Sequence, residues 1–256
     1  MYEQVSHSLL NRVLEELPPE IRRHDLQHFY TRLGANFYAI YSLFSLLYGK
    51  RDDFENQLSH LVEILAQNYI QRNQDLKKLD QARERDHNWF LDQQWVGMAL
   101  YANAFADDLP GLGQHVTYLQ ELGVNLVHVM PVLKCPLGAS DGGYAVSDFR
   151  SVDERVGSLE DIRTLAGKMR KREMLLTLDV VMNHTSDQHE WVQRARSGEQ
   201  SYQDYYYVFD DREVPDMYED AMPEVFPETA PGNFTWDESM GKWVMTVFNT
   251  YQWDLN

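Results

Sequence analysis

The 256-residue sequence contains a single cysteine, Cys135, and no uninterrupted apolar run near eighteen residues. A lone cysteine excludes an intramolecular disulfide, which fits a reducing compartment. Because no basic segment followed by an apolar run opens the chain, neither a signal peptide nor a membrane span is indicated. We therefore expect a cytoplasmic protein.

Positive charge is also scarce. The 23 lysines and arginines are outnumbered by 40 aspartates and glutamates, which gives a net charge of -17. A phosphate backbone or an anionic membrane would repel such a chain, so we expect neither nucleic acid nor membrane as a partner. A neutral small-molecule substrate is the natural inference. The hydrophobic content of 43% is typical of a globular protein.

Glycine is sparse in residues 1–90, where apolar residues recur at helical spacing. One four-spaced stripe consists of Val5, Leu9, Val13 and Leu17. A second and clearer stripe consists of Phe54, Leu58, Leu61, Leu65 and Tyr69. No catalytic constellation appears in this region, so we predict a helical domain whose helices pack on each other.

The pattern changes near Trp95 to alternating strands and helices. The predicted strands are residues 96–105, 124–132 and 175–182, and the third of these is mostly apolar, as expected of a strand buried on both faces. The predicted helices are residues 111–122, closed by Gly123, and residues 158–172. Strand, helix and strand in this order predict a parallel sheet, in which ligand sites collect at the C-terminal ends of the strands.

Two polar segments follow these strands. Residues 134–150 are too polar and too rich in glycine for a strand or a helix, and Gly142 and Gly143 allow a sharp turn that leaves Asp141 and Tyr144 free to point inward. The third strand ends in Asn183 and the residues after it. Beyond this point, residues 185–256 are rich in aromatic residues, prolines and acids, and we predict an inserted, loop-rich subdomain there.

At these motifs the sequence resembles a known family. The run Asp-Val-Val-Met-Asn-His at residues 179–184 resembles the third-strand signature of the α-amylase superfamily of glycoside hydrolases and transglycosylases. Residues 30–88 resemble the N-terminal helical domain of amylosucrases, the glucan-making branch of that superfamily. The resemblance extends from about residue 30 to residue 256, and its strongest motifs are residues 140–144 and 179–184.

The resemblance implies an α/β fold in three parts. Residues 1–90 would form the N-terminal helical domain, residues 91–184 the first three βα units of a TIM (β/α)8 barrel, and residues 185–256 the domain B insert. The barrel would be incomplete within these residues.

The resemblance also implies five substrate-binding residues: Asp141, Tyr144, His184, Phe248 and Gln252. Asp141 would bind the terminal glucosyl unit and pair with a distant arginine, Tyr144 would stack on the sugar ring, and His184 would donate a hydrogen bond to a sugar hydroxyl. From local sequence alone, the default interpretation is a turn cap for Asp141, core packing for Tyr144 and a satisfied core histidine for His184. Phe248 and Gln252 would then be core residues of the insert.

No catalytic residue is assigned within these 256 residues. A retaining enzyme needs a carboxylate nucleophile and a carboxylic acid/base, and the family carries them after its fourth and fifth strands. We assign Asp179 neither the nucleophile nor the acid/base role. We expect that residues 1–256 alone do not turn over sucrose. We expect no cofactor and no metal, although Asn183 matches a calcium ligand of other superfamily members; His184, His189 and Glu190 match no helical zinc motif.

The function implied is the N-terminal portion of a retaining α-glucosyl transferase that converts sucrose to an α-glucan with release of fructose. Sucrose and the growing glucan would be its ligands. A sucrose hydrolase would differ only in the acceptor of the second step, and a non-catalytic carbohydrate-binding remnant would keep the same sugar-binding face. These residues do not choose between the three.

Overall fold

The computed structural model describes residues 8, 10–12, 14–15 and 26–256. The chain divides into two compact units, Met1–Phe90 and Leu91–Asn256. The predicted stripe of Val5, Leu9, Val13 and Leu17 lies outside the described residues. Residues 91–256 form one unit, so the division into a barrel segment (residues 91–184) and an insert (residues 185–256) stays a prediction.

The first unit is helical throughout its described part, apart from short connections. Its helices are α1 (Gln27–Tyr48), α2 (Phe54–Gln71) and α3 (Gln74–Arg85). Phe29, Leu33 and Phe37 recur every four residues along α1, so they lie on one face and are buried in the core of this unit. Within the described residues, every helix is too short or too polar to cross a bilayer.

The buried face of α2 differs from the predicted stripe. Leu58, Val62 and Ala66 are fully buried, whereas Leu65 is 40% exposed. The face that packs into the core is therefore centred on Val62, and Leu65 lies at its edge. Spacing identified the helix correctly but placed its buried face a fraction of a turn away from the observed one.

The second unit alternates between strands and helices before it becomes irregular. In chain order its elements are β1 (Gly97–Leu100), α4 (Ala102–Ala106), α5 (Leu109–Glu121), β2 (Leu126–Val129), β3 (Leu133–Lys134), β4 (Asp148–Val152), α6 (Leu159–Arg170), β5 (Leu175–Leu178), β6 (His184–Ser186), α7 (Glu190–Arg196), α8 (Gln200–Gln203), β7 (Val208–Phe209), α9 (Glu213–Glu219), β8 (Phe234–Asp237), β9 (Lys242–Met245) and β10 (Gln252–Asp254).

The two predicted helices of this unit are confirmed, and local chemistry explains their ends. The side chain of Asp108 accepts a hydrogen bond from the Gly111 N–H at 2.6 Å and so caps the start of α5. Gly123 follows that helix in a left-handed conformation, with φ of 82°. At α6, Ser158 and Asp161 form a reciprocal capping box.

The strand predictions need correction. β1 ends at Leu100 and the segment predicted to continue it forms helix α4, while β2 is shorter at both ends than the predicted 124–132. β5 ends at Leu178 and is only partly buried, and beyond it Val180 and Met182 are 65% and 78% exposed. The prediction of a strand buried on both faces is therefore wrong, because only the face with Leu176 and Leu178 packs against the core and the face with Thr177 is exposed; β5 also lies at the edge of the sheet and pairs only with β2.

The parallel sheet has the order β1-β2-β5 and two different faces. Side chains alternate along each strand, and Val127 and Val129 pack with helices α5 and α6 in one apolar core. The opposite face carries Ala99, His128 and Thr177, which are aligned across the three strands by the register. Polar groups at this sheet are thus confined to the face away from those helices.

The polar segment 134–150 is more ordered than predicted. β3 and β4 pair antiparallel at its two ends, and a 3-10 turn at Asp141–Gly143 lies between them. The prediction of neither strand nor helix is therefore wrong at the edges of this segment. The pairing anchors both ends of the turn that carries Asp141.

The last part of the unit also contains regular structure. β7, β9 and β8 form a three-stranded antiparallel sheet, and β6 pairs antiparallel with β10. Buried side chains of Val192, Tyr206, Val244 and Trp253 hold these elements together. The pairing of β6 with β10 places His184 directly opposite Asp254, although seventy residues separate them in the chain.

Candidate functional site

A cavity of about 520 Å³ opens beyond the C-terminal end of β5. Its walls come from the Asp141 turn, the segment after β5 and two aromatic residues of the last part of the chain. The lining residues are Asp141, Tyr144, Asp179, Val180, Val181, Met182, Asn183, His184, Phe226 and Phe248. The prediction that Asp141, Tyr144, His184 and Phe248 surround one cavity is thereby confirmed.

The turn that carries Asp141 depends on two glycines. Asp141, Gly142 and Gly143 are all left-handed, with φ of 49°, 63° and 100°. A Cβ on Gly142 would lie 2.9 Å from the Tyr101 hydroxyl, and one on Gly143 would lie 3.2 Å from Pro131 Cβ. Asp141 tolerates this backbone better than most residues, because its short polar side chain bonds locally. The tight turn aims its carboxylate at the cavity.

Gln252 lies outside the cavity lining and contacts two polar residues of the cavity, Asp141 and His184. Its amide nitrogen donates to Asp141 Oδ2 at 3.1 Å and lies 2.9 Å from His184 Nε2. Asn249 donates to Gln252 Oε1 at 2.7 Å, which fixes the orientation of the amide. Gln252 is fully buried and does not line the cavity. It therefore contacts the predicted site through Asp141 and His184.

His184 is the most buried of the polar cavity residues, with 4% of its surface exposed. Burial lowers its pKa below the ordinary value of 6.5, which favours the neutral ring. Nε2 also lies 3.2 Å from the carbonyl oxygen of Tyr144, and the ring centre is 5.0 Å from that of Phe248. These contacts hold the imidazole in one orientation beside the aromatic wall.

The hydroxyl of Tyr144 is held by a carboxylate. It donates to Asp179 Oδ2 at 3.1 Å, while His128 Nε2 lies 2.9 Å from Asp179 Oδ1. Burial, followed by the hydrogen bond to Asp179, raises the pKa of Tyr144 to about 12. The phenol therefore stays protonated at neutral pH and remains a donor to Asp179.

A buried carboxylate ties the two sides of the cavity together. Asp254, 5% exposed, accepts from Asn183 Nδ2 at 2.6 Å through one oxygen and from the Val247 N–H at 2.7 Å through the other. Asn183 precedes His184 and Val247 precedes Phe248. Burial raises the pKa of Asp254, and the two hydrogen bonds oppose that rise.

Residues that suggested metal chemistry are otherwise engaged. The amide of Asn183 is bonded to Asp254, and His189 Nδ1 accepts from the Trp191 N–H at the start of α7. Within the part of the chain that the structure describes, no group of three or more His, Cys, Asp or Glu side chains is arranged to hold a metal ion.

Sequence reasoning missed His128 and Asp254 as parts of this site and left Asp179 without a role. His128 interrupts an apolar strand, which was the available signal. Asp254 lies two residues after Gln252 and so shares its face of a strand, a second signal that only the pairing with β6 makes meaningful. The sugar-binding roles of Asp141, Tyr144, His184, Phe248 and Gln252 stay predictions.

The arrangement suits a small polyhydroxylated ligand. A carboxylate and an imidazole can exchange hydrogen bonds with neighbouring hydroxyls, while the rings of Tyr144 and Phe248 offer apolar faces to C–H groups. The cavity therefore combines apolar walls with a few convergent polar groups.

Comparison with known proteins places the chain in the α-amylase family. The model of that family's catalytic domain, described as alpha amylase, catalytic domain, matches residues 51–256. This confirms the superfamily predicted from residues 140–144 and 179–184. The match begins within the helical unit, upstream of the first strand of the parallel sheet.

Curated relatives have several activities. The chain is 37% identical over 149 residues to a trehalose synthase of Pimelobacter sp. (strain R48), covering 58% of this chain and 25% of that protein. It is 34% identical over 167 residues to an oligo-1,6-glucosidase of Parageobacillus thermoglucosidasius, covering 61% of this chain and 28% of that protein.

A similar solved structure is a variant of isomaltulose synthase from Erwinia rhapontici NX5 in complex with its natural substrate sucrose. The TM-score is 0.55 at 31% identity, and the match covers 64% of this chain and 29% of that one. The chain thus spans between a quarter and three tenths of the length of these three relatives.

Proposed function

We propose that the cavity binds the glucosyl unit of sucrose and that the whole protein is an amylosucrase-like transferase that builds an α-glucan and releases fructose. The observation that carries the proposal is the convergence of Asp141, Tyr144, His184 and Phe248 on one cavity, although more than a hundred residues separate the first from the last. β1, β2 and β5 would then be the first three strands of a (β/α)8 barrel, with the cavity at their C-terminal ends.

The comparisons support a carbohydrate substrate at a coarser level. The chain belongs to a family whose members include trehalose synthases and glucosidases, and a similar solved structure holds sucrose. Amylosucrase itself is the finer part of the proposal, and it rests on the resemblance of residues 30–88 to the helical domain of that branch.

In this proposal the residues described bind and orient the sugar. Asp141 and His184 bond the hydroxyls of the glucosyl ring, and hydrogen bonds that shorten as the ring flattens favour the oxocarbenium-like transition state. Tyr144 and Phe248 exclude water from its faces. The electron-rich face of Tyr144 also favours positive charge developing on the sugar.

Asp179 fits a supporting role better than that of a nucleophile. Both of its oxygens already accept hydrogen bonds, one from Tyr144 and one from His128. The two hydrogen bonds fix the position of this carboxylate and join it to the Tyr144 ring, as a supporting residue requires. In this proposal the covalent intermediate forms on the carboxylate that the family carries after its fourth strand.

Hydrolysis is the second candidate, and the similarity to an oligo-1,6-glucosidase favours it. A hydrolase would use the same glucosyl pocket and transfer the sugar to water. Product analysis of the whole protein separates the two: a transferase releases fructose in excess of glucose and forms glucan, whereas a hydrolase releases equal amounts of both sugars.

Sucrose binding to the 256-residue chain tests the pocket directly. We expect sucrose and glucose to compete for one site in saturation-transfer NMR, and fructose not to displace them. Asp141→Asn and His184→Ala should each weaken sucrose binding at least about tenfold, which corresponds to about 1.4 kcal/mol.

Asp220→Asn is the matched control, because Asp220 is exposed and lies outside the cavity lining. Unchanged affinity in Asp141→Asn, or an equal loss in Asp220→Asn, would contradict the pocket. Fructose release from sucrose by the 256-residue chain that disappears in Asp179→Asn would instead place a catalytic carboxylate in this cavity.

A further inference from the structure

Asp179 connects two side chains that come from different parts of the second unit. Its Oδ1 lies 2.9 Å from Nε2 of His128 on β2, and its Oδ2 accepts from the hydroxyl of Tyr144 at 3.1 Å. An ionised carboxylate can only accept hydrogen bonds, so both neighbours must donate to it. The three side chains form a continuous chain from the sheet to the cavity wall.

The place of His128 in the sheet is unusual for a purely structural residue. It lies in an apolar strand, on the face opposite the helices, between Ala99 of β1 and Thr177 of β5. The side chain of His128 is 34% exposed and that of Asp179 is 24% exposed. The other three residues of β2 are apolar, and the imidazole of His128 contacts Asp179.

Tyr144 is restrained at two points. Its carbonyl oxygen lies 3.2 Å from His184 Nε2, and its hydroxyl is bonded to Asp179. The first contact restrains the backbone, whereas the second fixes the hydroxyl at the far end of the side chain and so restrains where the ring lies. The position of the ring therefore depends on where Asp179 Oδ2 is held.

We propose that His128 is a positioning residue of the cavity: by holding one oxygen of Asp179 it fixes the other oxygen, and through it the place at which the Tyr144 ring meets a bound sugar. The proposal rests on the proposed function, because the orientation of Tyr144 matters only if a sugar occupies the cavity. Nothing in it requires His128 to touch the substrate, and His128 does not line the cavity.

A substitution series at His128 separates the hydrogen bond from packing. His128→Gln keeps an amide N–H near the position of Nε2, and His128→Leu removes the donor. We expect His128→Leu to weaken sucrose binding by about three- to tenfold, the range for one lost hydrogen bond, and His128→Gln to restore most of the loss. His115→Leu, on the exposed surface of α5, is the control for loss of a histidine.

The decisive arm repeats His128→Leu in a Tyr144→Phe background. Phenylalanine keeps the ring but cannot bond Asp179, so the second substitution should then have no further effect on affinity. Equal losses from His128→Leu in both backgrounds would overturn the proposal, because they would show an effect that bypasses Tyr144.

A spectroscopic arm does not depend on sugar binding. In protein labelled with 13Cζ-tyrosine, the Tyr144 resonance, assigned by its absence in Tyr144→Phe, should shift at pH 7 in His128→Leu and return in His128→Gln. An unshifted resonance in His128→Leu would overturn the coupling. If the unmodified chain binds no saccharide, the proposed function fails, and the resonance still decides whether His128 orients Tyr144.

His128→Asn covers the case in which His128→Leu does not fold. Asparagine is polar and smaller than histidine, but its side chain is too short to place the amide nitrogen at the position of Nε2. The same weakening of sucrose binding and the same resonance shift are expected, and wild-type values for both would overturn the proposal.

Discussion

The two units of the chain differ in what they bury. The core of the helical unit is apolar and includes Phe37, Leu58 and Val62, whereas all buried polar or charged side chains found among the described residues belong to the second unit. They are Asp153, His184, Thr185, Ser186, His189, Asn233, Thr246, Gln252 and Asp254.

This difference indicates where the chain accepts a cost in stability. Burying a polar group is unfavourable unless it is hydrogen-bonded, and even paired groups contribute little net stability compared with apolar packing. Around the cavity, the Gln252 amide contacts His184 and donates to Asp141, and Asp254 accepts from Asn183. Part of the polar burial in the second unit thus orients a site, and no residue that is polar and buried is found among the described residues of the helical unit.

The largest effect on stability is expected from the apolar core of the helical unit. Phe37 is 2% exposed, so Phe37→Ala should leave a cavity and lower the free energy of unfolding by about 3–5 kcal/mol. Urea denaturation followed by circular dichroism measures this. Leu46→Ala, at a position 81% exposed, should change it by less than about 0.5 kcal/mol. Similar values for both variants would contradict the assigned core.

In the second unit the matching test removes a buried acceptor. Asp254→Ala leaves the Asn183 amide and the Val247 N–H without this acceptor. Asn183 is exposed, so its amide can bond water instead, whereas the Val247 N–H is partly buried, and a buried donor without a partner costs about 1–3 kcal/mol. We expect a loss of about 1–3 kcal/mol together with weaker sucrose binding. Asp254→Asn keeps one acceptor and should lose less. A stable Asp254→Ala variant with unchanged affinity would break the comparison between the units.

The pH dependence of stability should come partly from His184. Its pKa is lowered in the folded state by burial, so the unfolded chain takes up the proton first as the pH falls. The contribution of the neutral ring is complete above pH 6.5 and is lost as the pH drops below that value, by at most about 1.4 kcal/mol per pH unit. Unfolding at pH 8 and pH 5 should show a smaller difference in His184→Gln than in the unmodified chain. An equal difference in both would remove His184 as a cause.

The smallest effect is expected from an ion pair of the helical unit. Arg72 donates two hydrogen bonds to Asp80, at 2.7 Å and 2.9 Å, but its side chain is 39% exposed. Solvent screening limits such a pair to about 0–1 kcal/mol, so Arg72→Ala should cost no more than that and less in 0.5 M salt than in 0.05 M salt. A larger loss, independent of salt, would show that polar contacts matter to this unit as they do to the other.

The resemblance of residues 140–144 and 179–184 to family motifs located Asp141, Tyr144 and His184 from the sequence, because each lies within a short local pattern. The roles of His128 and Asp254 were not predictable in the same way. His128 meets Asp179 across 51 residues, and Gln252 meets Asp141 across 111 residues. Partners at such separations leave no periodic signal in the chain.

The sequence by itself determined helices α5 and α6 and where they end, whereas helix α4 formed in a segment predicted as a strand. Apolar spacing and the capping residues Asp108 and Ser158 act within a few residues, so α5 and α6 formed as predicted. Only the tertiary structure decided the lengths of the strands, the exposure of β5 at the edge of its sheet and the hydrogen bonds that orient the cavity. A strand is stabilised by partners distant in the chain, and a buried polar group by whichever donor or acceptor the fold brings beside it.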